Sequence, residues 1–259
     1  MSILLLKVIL TPLLVAAATL AARRWGFMVG GWFAGLPLVS GPISIFLALE
    51  QGPAFAAQAA DAALLGLFAA VTFCFVYARG AKKLTWQTSL LCAFSAYLLT
   101  TWGLSLVTSS LVISSVSVIL LVGAAMRTIR VSAAGTFQVA APPWDLPVRM
   151  ATATAMVLLI TGGAEYLGPK WSGLLSPFPV FACIMAVFSQ IQGGAMAVRR
   201  LLRGMIIGCL GAASFLVVVG FAVERTNLVL VYALATGIAV IVNGASFVTL
   251  IGHPSGHSR

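Results

Sequence analysis

The sequence predicts an all-α integral membrane protein of about nine transmembrane helices, arranged as four, one and four, with the second four inverted. Three observations predict it: an apolar composition, basic residues gathered on one side, and an internal repeat in constant register. Of 259 residues, 61% are hydrophobic and 8% are charged, with a mean hydropathy of +1.10. A soluble domain carries roughly 25% charged residues. A water-soluble core cannot hide this much apolar surface, so the solvent is lipid.

Apolar stretches run at about 3–22, 30–49, 57–78, 86–107, 109–126, 148–168, 171–190, 201–223 and 227–251. Each is close to the roughly 20 residues with which a helix crosses about 30 Å of hydrocarbon. Only Ser and Thr interrupt the apolar run between the fourth and fifth stretches. Arg23 and Arg24 follow the first stretch, whereas a signal peptide carries its positive charge in front, so this stretch is expected to stay as a helix.

The charges then give a direction. Arg23, Arg24, Arg79, Lys82, Lys83, Arg127, Arg130, Arg149, Arg199, Arg200, Arg203 and Arg259 fall on one side of the expected membrane. Lys7, Lys170 and Arg225 fall on the other, together with Glu50, Asp61, Glu165 and Glu224. The positive-inside rule places the N-terminus outside and the C-terminus in the cytoplasm of a bacterial inner membrane. The net charge of +10 is thereby accounted for by topology, and a nucleic-acid partner is not expected. Membrane lipids are the expected partners, and an oligomer is compatible with the pattern.

One constant shift of the chain on itself lays Pro37 on Pro179, Phe46 on Phe188, Gly52 on Gly194 and Gly66 on Gly208. In the same register Ala70 meets Ala212, Phe73 meets Phe215 and Val76 meets Val218. The shift pairs the first four spans with the last four and leaves the fifth alone, so one odd crossing turns the second copy upside down. The acidic loop with Glu50 and Asp61 then matches the basic loop with Arg199, Arg200 and Arg203, as opposite sides require. Residues 1–107 form the first repeat, 108–147 a linker helix and cytoplasmic loop, and 148–259 the inverted second repeat with a short tail. Inverted repeats are a frequent plan of secondary transporters.

The second span holds Pro37 and Pro42 with Gly35 and Gly41; the seventh holds Pro177 and Pro179 with Gly173. An interior proline removes a backbone hydrogen bond, and in lipid the freed groups need protein or water. Spans interrupted at corresponding places mark an expected binding site between them. The expected substrate-binding residues are Pro37, Ser40, Gly41, Ser44, Thr101, Pro177, Pro179 and Asn243. Ser40 and Ser44 share a helical face, and Thr101 and Asn243 occupy matching positions in spans four and nine. Glu50 and Asp61, acids at or inside apolar spans, are the expected ion-coupling pair. Ordinary proline kinks, interhelical hydrogen bonds and interfacial carboxylates are the competing readings of these residues.

No nucleophile elbow, HExxH, P-loop or His–carboxylate cluster occurs, so an enzyme is not expected. Cys74, Cys92, Cys183 and Cys209 lie in apolar runs without CxxC spacing, and His253 and His257 lie in the polar tail. Metal sites and cofactors are therefore not expected.

The stretch WSGLLSPFPVFACIMAVFSQIQGGAMAVRRLLRG resembles the second and third helices of GlpM-like small membrane proteins, and GLPLVSGPISIFLALEQG resembles the same segment. The resemblance implies a fused, inverted pair of such units and an association with exopolysaccharide production, without implying a catalytic role. The leading expectation is a secondary transporter of a small metabolite or a lipid-linked envelope precursor. The alternative is a non-transporting accessory subunit of envelope or exopolysaccharide biosynthesis.

Overall fold

The computed structural model describes residues 36–107, 110–129 and 143–251, with isolated positions before residue 36. Much of the first expected span, most of the 127–147 loop and the tail with both histidines lie outside the described residues. The described chain is helix and turn, with no strand. Its elements are α1 (Ser40–Glu50), α2 (Pro53–Gly80), α3 (Trp86–Ser105), α4 (Leu111–Thr128), α5 (Asp145–Gly162), α6 (Ala164–Leu175), α7 (Val180–Ala222) and α8 (Leu228–Ile251).

Four of these carry segments long and apolar enough to cross a membrane: Pro53–Gly80, Leu111–Thr128, Ala182–Ala222 and Leu228–Ser246. Their burial sorts them. The most apolar windows of α2 and α7 are 72% and 61% buried, against 22% and 28% for α4 and α8. The first two therefore form the centre, and the other two turn broad apolar faces outward. Val112, Ile113, Ile119 and Leu120 on α4 and Val229, Val240 and Ile241 on α8 are exposed, as are Leu91, Leu98, Leu99 and Trp102 on α3. A protein with such an outer surface and such helices is a membrane protein.

Glycine and proline set the helix ends. Gly52 (φ +90°) turns the chain between α1 and α2, a conformation that only glycine adopts without strain, and Pro53 then opens α2 at a position needing no N–H. Gly194 (φ +67°), the match of Gly52 in the repeat register, breaks α7 into two arms in the same way. The register recurs at other ends: α2 ends at Gly80 and α7 at Ala222, and α3 opens at Trp86 and α8 at Leu228. Thr85 Oγ1 accepts the Thr88 N–H before α3, and Asn227 Oδ1 accepts the Val229 N–H before α8.

One boundary differs from the sequence expectation. The stretch 148–168 is not one helix: α5 stops at Gly162, and α6 begins at Ala164 and kinks at Gly168 (φ +68°). The Gly162–Gly163 pair supplies the weak point, because glycine gives up the most backbone freedom in a helix. The stretch 171–190 is interrupted at the prolines where a break was expected: α6 ends at Leu175 and α7 starts only at Val180.

The linker helix α4 fixes the relative direction of its neighbours. Its buried stripe, Ser114, Val118, Val122, Ala125 and Ile129, lies against α2 and α7. Asp61 of α2 accepts a hydrogen bond from Ser114 Oγ (2.7 Å) at one end, and Arg203 of α7 donates to the Ile129 carbonyl (2.6 Å) at the other. These two residues stand equally far beyond Gly52 and Gly194. Gly220, near the end of α7, lies against Leu111 and Ala60, near the start of α2. Hence α2 and the second arm of α7 run antiparallel.

Candidate functional site between two broken helices

The described chain is not helical at residues 36–39 and again at 176–179. Pro37, Pro177 and Pro179 carry no N–H with which to continue a helical hydrogen-bond ladder. Pro42 does not break α1: it is the third residue of the helix, where an N–H has no intrahelical partner. Each non-helical stretch is followed by a helix start, α1 at Ser40 and α7 at Val180.

A cavity lies between the two breaks. Leu36, Val39 and Ser40 line it from one side, and Ser176 to Pro179 with Ala182 from the other. Leu67, Ala70 and Cys74 of α2 and Met205, Cys209 and Ala212 of α7 complete the wall. Its open space is about 540 Å³, of which about 70 Å³ admits the centre of a water-sized molecule. A water needs roughly 10–15 Å³ of such space, so the cavity holds a few waters at most in this conformation. Among the described residues no charged side chain lines it; the polar groups are the Ser40 and Ser176 hydroxyls and the two thiols. Ser176 Oγ donates to the Gly173 carbonyl (3.0 Å), which leaves it an acceptor.

Ser44, one turn beyond Ser40, lines a second, smaller cavity with Gly173, Ser176 and Leu216. Tyr232 Oη of α8 donates to the Ser44 carbonyl (2.8 Å) and lies 2.9 Å from Ser44 Oγ. Because the phenol has one proton, the Ser44 hydroxyl donates to the Tyr232 oxygen. Gly41 sits between Pro37 and the Phe215 ring. Behind the second break, Phe178 stacks edge-on to Tyr97 (5.5 Å between centroids) and contacts Phe94, which meets Phe73 edge-on.

Of the expected residues, Ser40, Pro177 and Pro179 line the larger cavity and Ser44 the smaller, with Pro37 and Gly41 adjacent. Thr101 and Asn243 line neither. Thr101 is buried on α3, and Asn243 is buried on α8 with its amide pressed against Gly211 of α7. Neither amide atom of Asn243 has a hydrogen-bond partner among the described residues. The Asn243 carbonyl accepts from Trp32 Nε1 (3.1 Å) and from Ser246 Oγ (2.8 Å). Glu50 is exposed at the end of α1, and Asp61 is half-buried against α4. Both lie outside the two cavities.

Sequence reasoning missed Leu67, Ala70, Cys74, Met205, Cys209 and Ala212 in the wall. The one available signal was the Ala70–Ala212 match in the repeat. Comparisons with protein-family models, curated proteins and solved structures give no significant match.

Proposed function

We propose that this chain is a secondary transporter of the bacterial inner membrane, built from two inverted repeats joined by α4, with its site in the cavity between the broken helices. The observation that carries the reading is the pairing of the cavity wall. Leu36 and Phe178, Ser40 and Ala182, Leu67 and Cys209, and Ala70 and Ala212 are partners in the repeat register and line the same space. Such a wall lies on the axis that relates two equivalent halves. The antiparallel course of α2 and the second arm of α7 supports an axis in the membrane plane, the arrangement that lets halves rock about a central site. The asymmetry of basic residues supports an outer N-terminus and a cytoplasmic C-terminus.

The wall also bears on the substrate. A full charge in an apolar site with no partner costs several kcal/mol, so the substrate is uncharged where it meets the wall. A neutral metabolite, or the apolar part of a lipid-linked envelope precursor, fits this requirement. The narrowness of the cavity favours the alternative, an accessory subunit that transports nothing, because passage requires the halves to move apart.

Reconstituted vesicles separate the readings. Uptake or flipping of uncharged metabolites and lipid-linked precursors is measured with the wild type, with Ser40→Trp and with Ala182→Trp. Transport by the wild type that both matched variants block is the expected result. Wild-type vesicles no faster than empty ones across the panel would leave the accessory role.

A further inference from the structure

Asp61 is a carboxylate within an apolar span, and such groups are costly unless something holds them. What holds it is α4. The N-terminal end of a helix carries partial positive charge and unbonded N–H groups, and the C-terminal end carries partial negative charge and unbonded carbonyls. In α4 the residue before the first turn, Ser110, gives no side-chain cap, and lipid supplies none. Asp61 stands at the positive end, bonded by Ser114, and Arg203 at the negative end, bonded to the last carbonyl of the buried stripe. The two are partners in the register that relates Gly52 to Gly194. A single helix lying across two antiparallel, equivalent helices presents opposite ends to their equivalent positions. Opposite charges at one repeat position are therefore what its dipole demands.

We propose that Asp61 and Arg203 are a matched clamp on the two ends of α4, and that the clamp holds the two groups of helices in their present relative position. Each anchor belongs to a different central helix, α2 or α7, and α4 packs mainly on those two. Movement of one group against the other breaks an anchor or carries α4 with it. The clamp accounts for the half-buried carboxylate, and it stands whether or not the chain transports a substrate.

Hydrogen exchange of the intact protein in lipid nanodiscs tests the clamp. Asp61→Ala raises exchange in residues 114–118 roughly three- to twenty-fold, the span that interhelical hydrogen bonds in membranes cover, and leaves 125–129 unchanged. Arg203→Ala does the reverse. Ser114→Ala, a change that deletes one hydroxyl and keeps the fold, repeats the Asp61→Ala effect, and the two combined add nothing further. Spin labels at Lys83 and Gln192, near the Gln190–Leu84 hydrogen bond between the two groups, read the position directly. The wild type gives one narrow distance, and the Asp61→Ala/Arg203→Ala protein a broad or second one. Exchange changes spread evenly over α4, or absent from it, would overturn the clamp. An unchanged narrow distance in the double variant would overturn its holding role.

Discussion

The crossing of α2 and α6 is packed through two glycines that leave no room for a side chain, and gives the sharpest mutational test. A methyl group on Gly173 would run into the Ala59 carbonyl and reach 2.7 Å from Ala62 Cβ; one on Gly66 would run into the Leu174 carbonyl and reach 3.0 Å from Pro177 Cδ. Carbon atoms rest about 3.5–4.0 Å apart, so either alanine forces the two helices about 1 Å apart. Overfilling a packed interior costs about 1–3 kcal/mol, and close helix contact through small residues is the main attraction available in lipid. Gly103 and Gly123 are the controls, because nothing lies within 4 Å of a methyl group there and both are helical. At those sites alanine gains up to about 1 kcal/mol in helix propensity. Thermal unfolding in detergent, followed with a dye that reacts with Cys74 and Cys209 once they are uncovered, ranks the four variants. Gly66→Ala and Gly173→Ala unfold at lower temperature than the wild type, and the controls at the same or higher temperature. The double variant costs less than the sum, since both act at one crossing. A Gly173→Ala protein as stable as Gly123→Ala would refute the close approach.

Two further outcomes follow from single residues. Gly52→Ala and Gly194→Ala each lose roughly 1–3 kcal/mol, because alanine is strained at these backbone angles although no neighbour obstructs it; the same unfolding assay measures both. Tyr232→Phe and Ser44→Ala each cost about 1 kcal/mol, and a double-mutant cycle shows them coupled through their shared hydrogen bonds.

What the sequence made legible was backbone chemistry. A proline without an N–H breaks or kinks a helix in whose interior it falls, so the turns at 36–39 and 176–179 could be located in advance. A glycine needing positive φ leaves its mark at Gly52 and again at Gly194. Faces and partners were not legible. Thr101 and Asn243 are equivalent by register, yet register does not say which way a side chain points, and both lie on the flanks. The partner of Asp61 is Ser114, far along the chain on the linker helix, and nothing local to Asp61 announces it. The stop at Gly162 was missed although the Gly162–Gly163 pair stood in the sequence, because the apolar run up to it reads as one continuous span.

The central claim is that the two repeats lie in opposite directions, and equivalent exposed residues test it most directly. Glu50 ends α1, its repeat partner Gln192 stands near the kink of α7, and both are exposed. Single cysteines at these two positions, in a background with the four native cysteines changed to alanine, are labelled in intact cells with a membrane-impermeant maleimide. An inverted pair labels at 50 from outside and at 192 only after the membrane is opened. Labelling of both from the same side would contradict the inverted architecture and the transport proposal built on it.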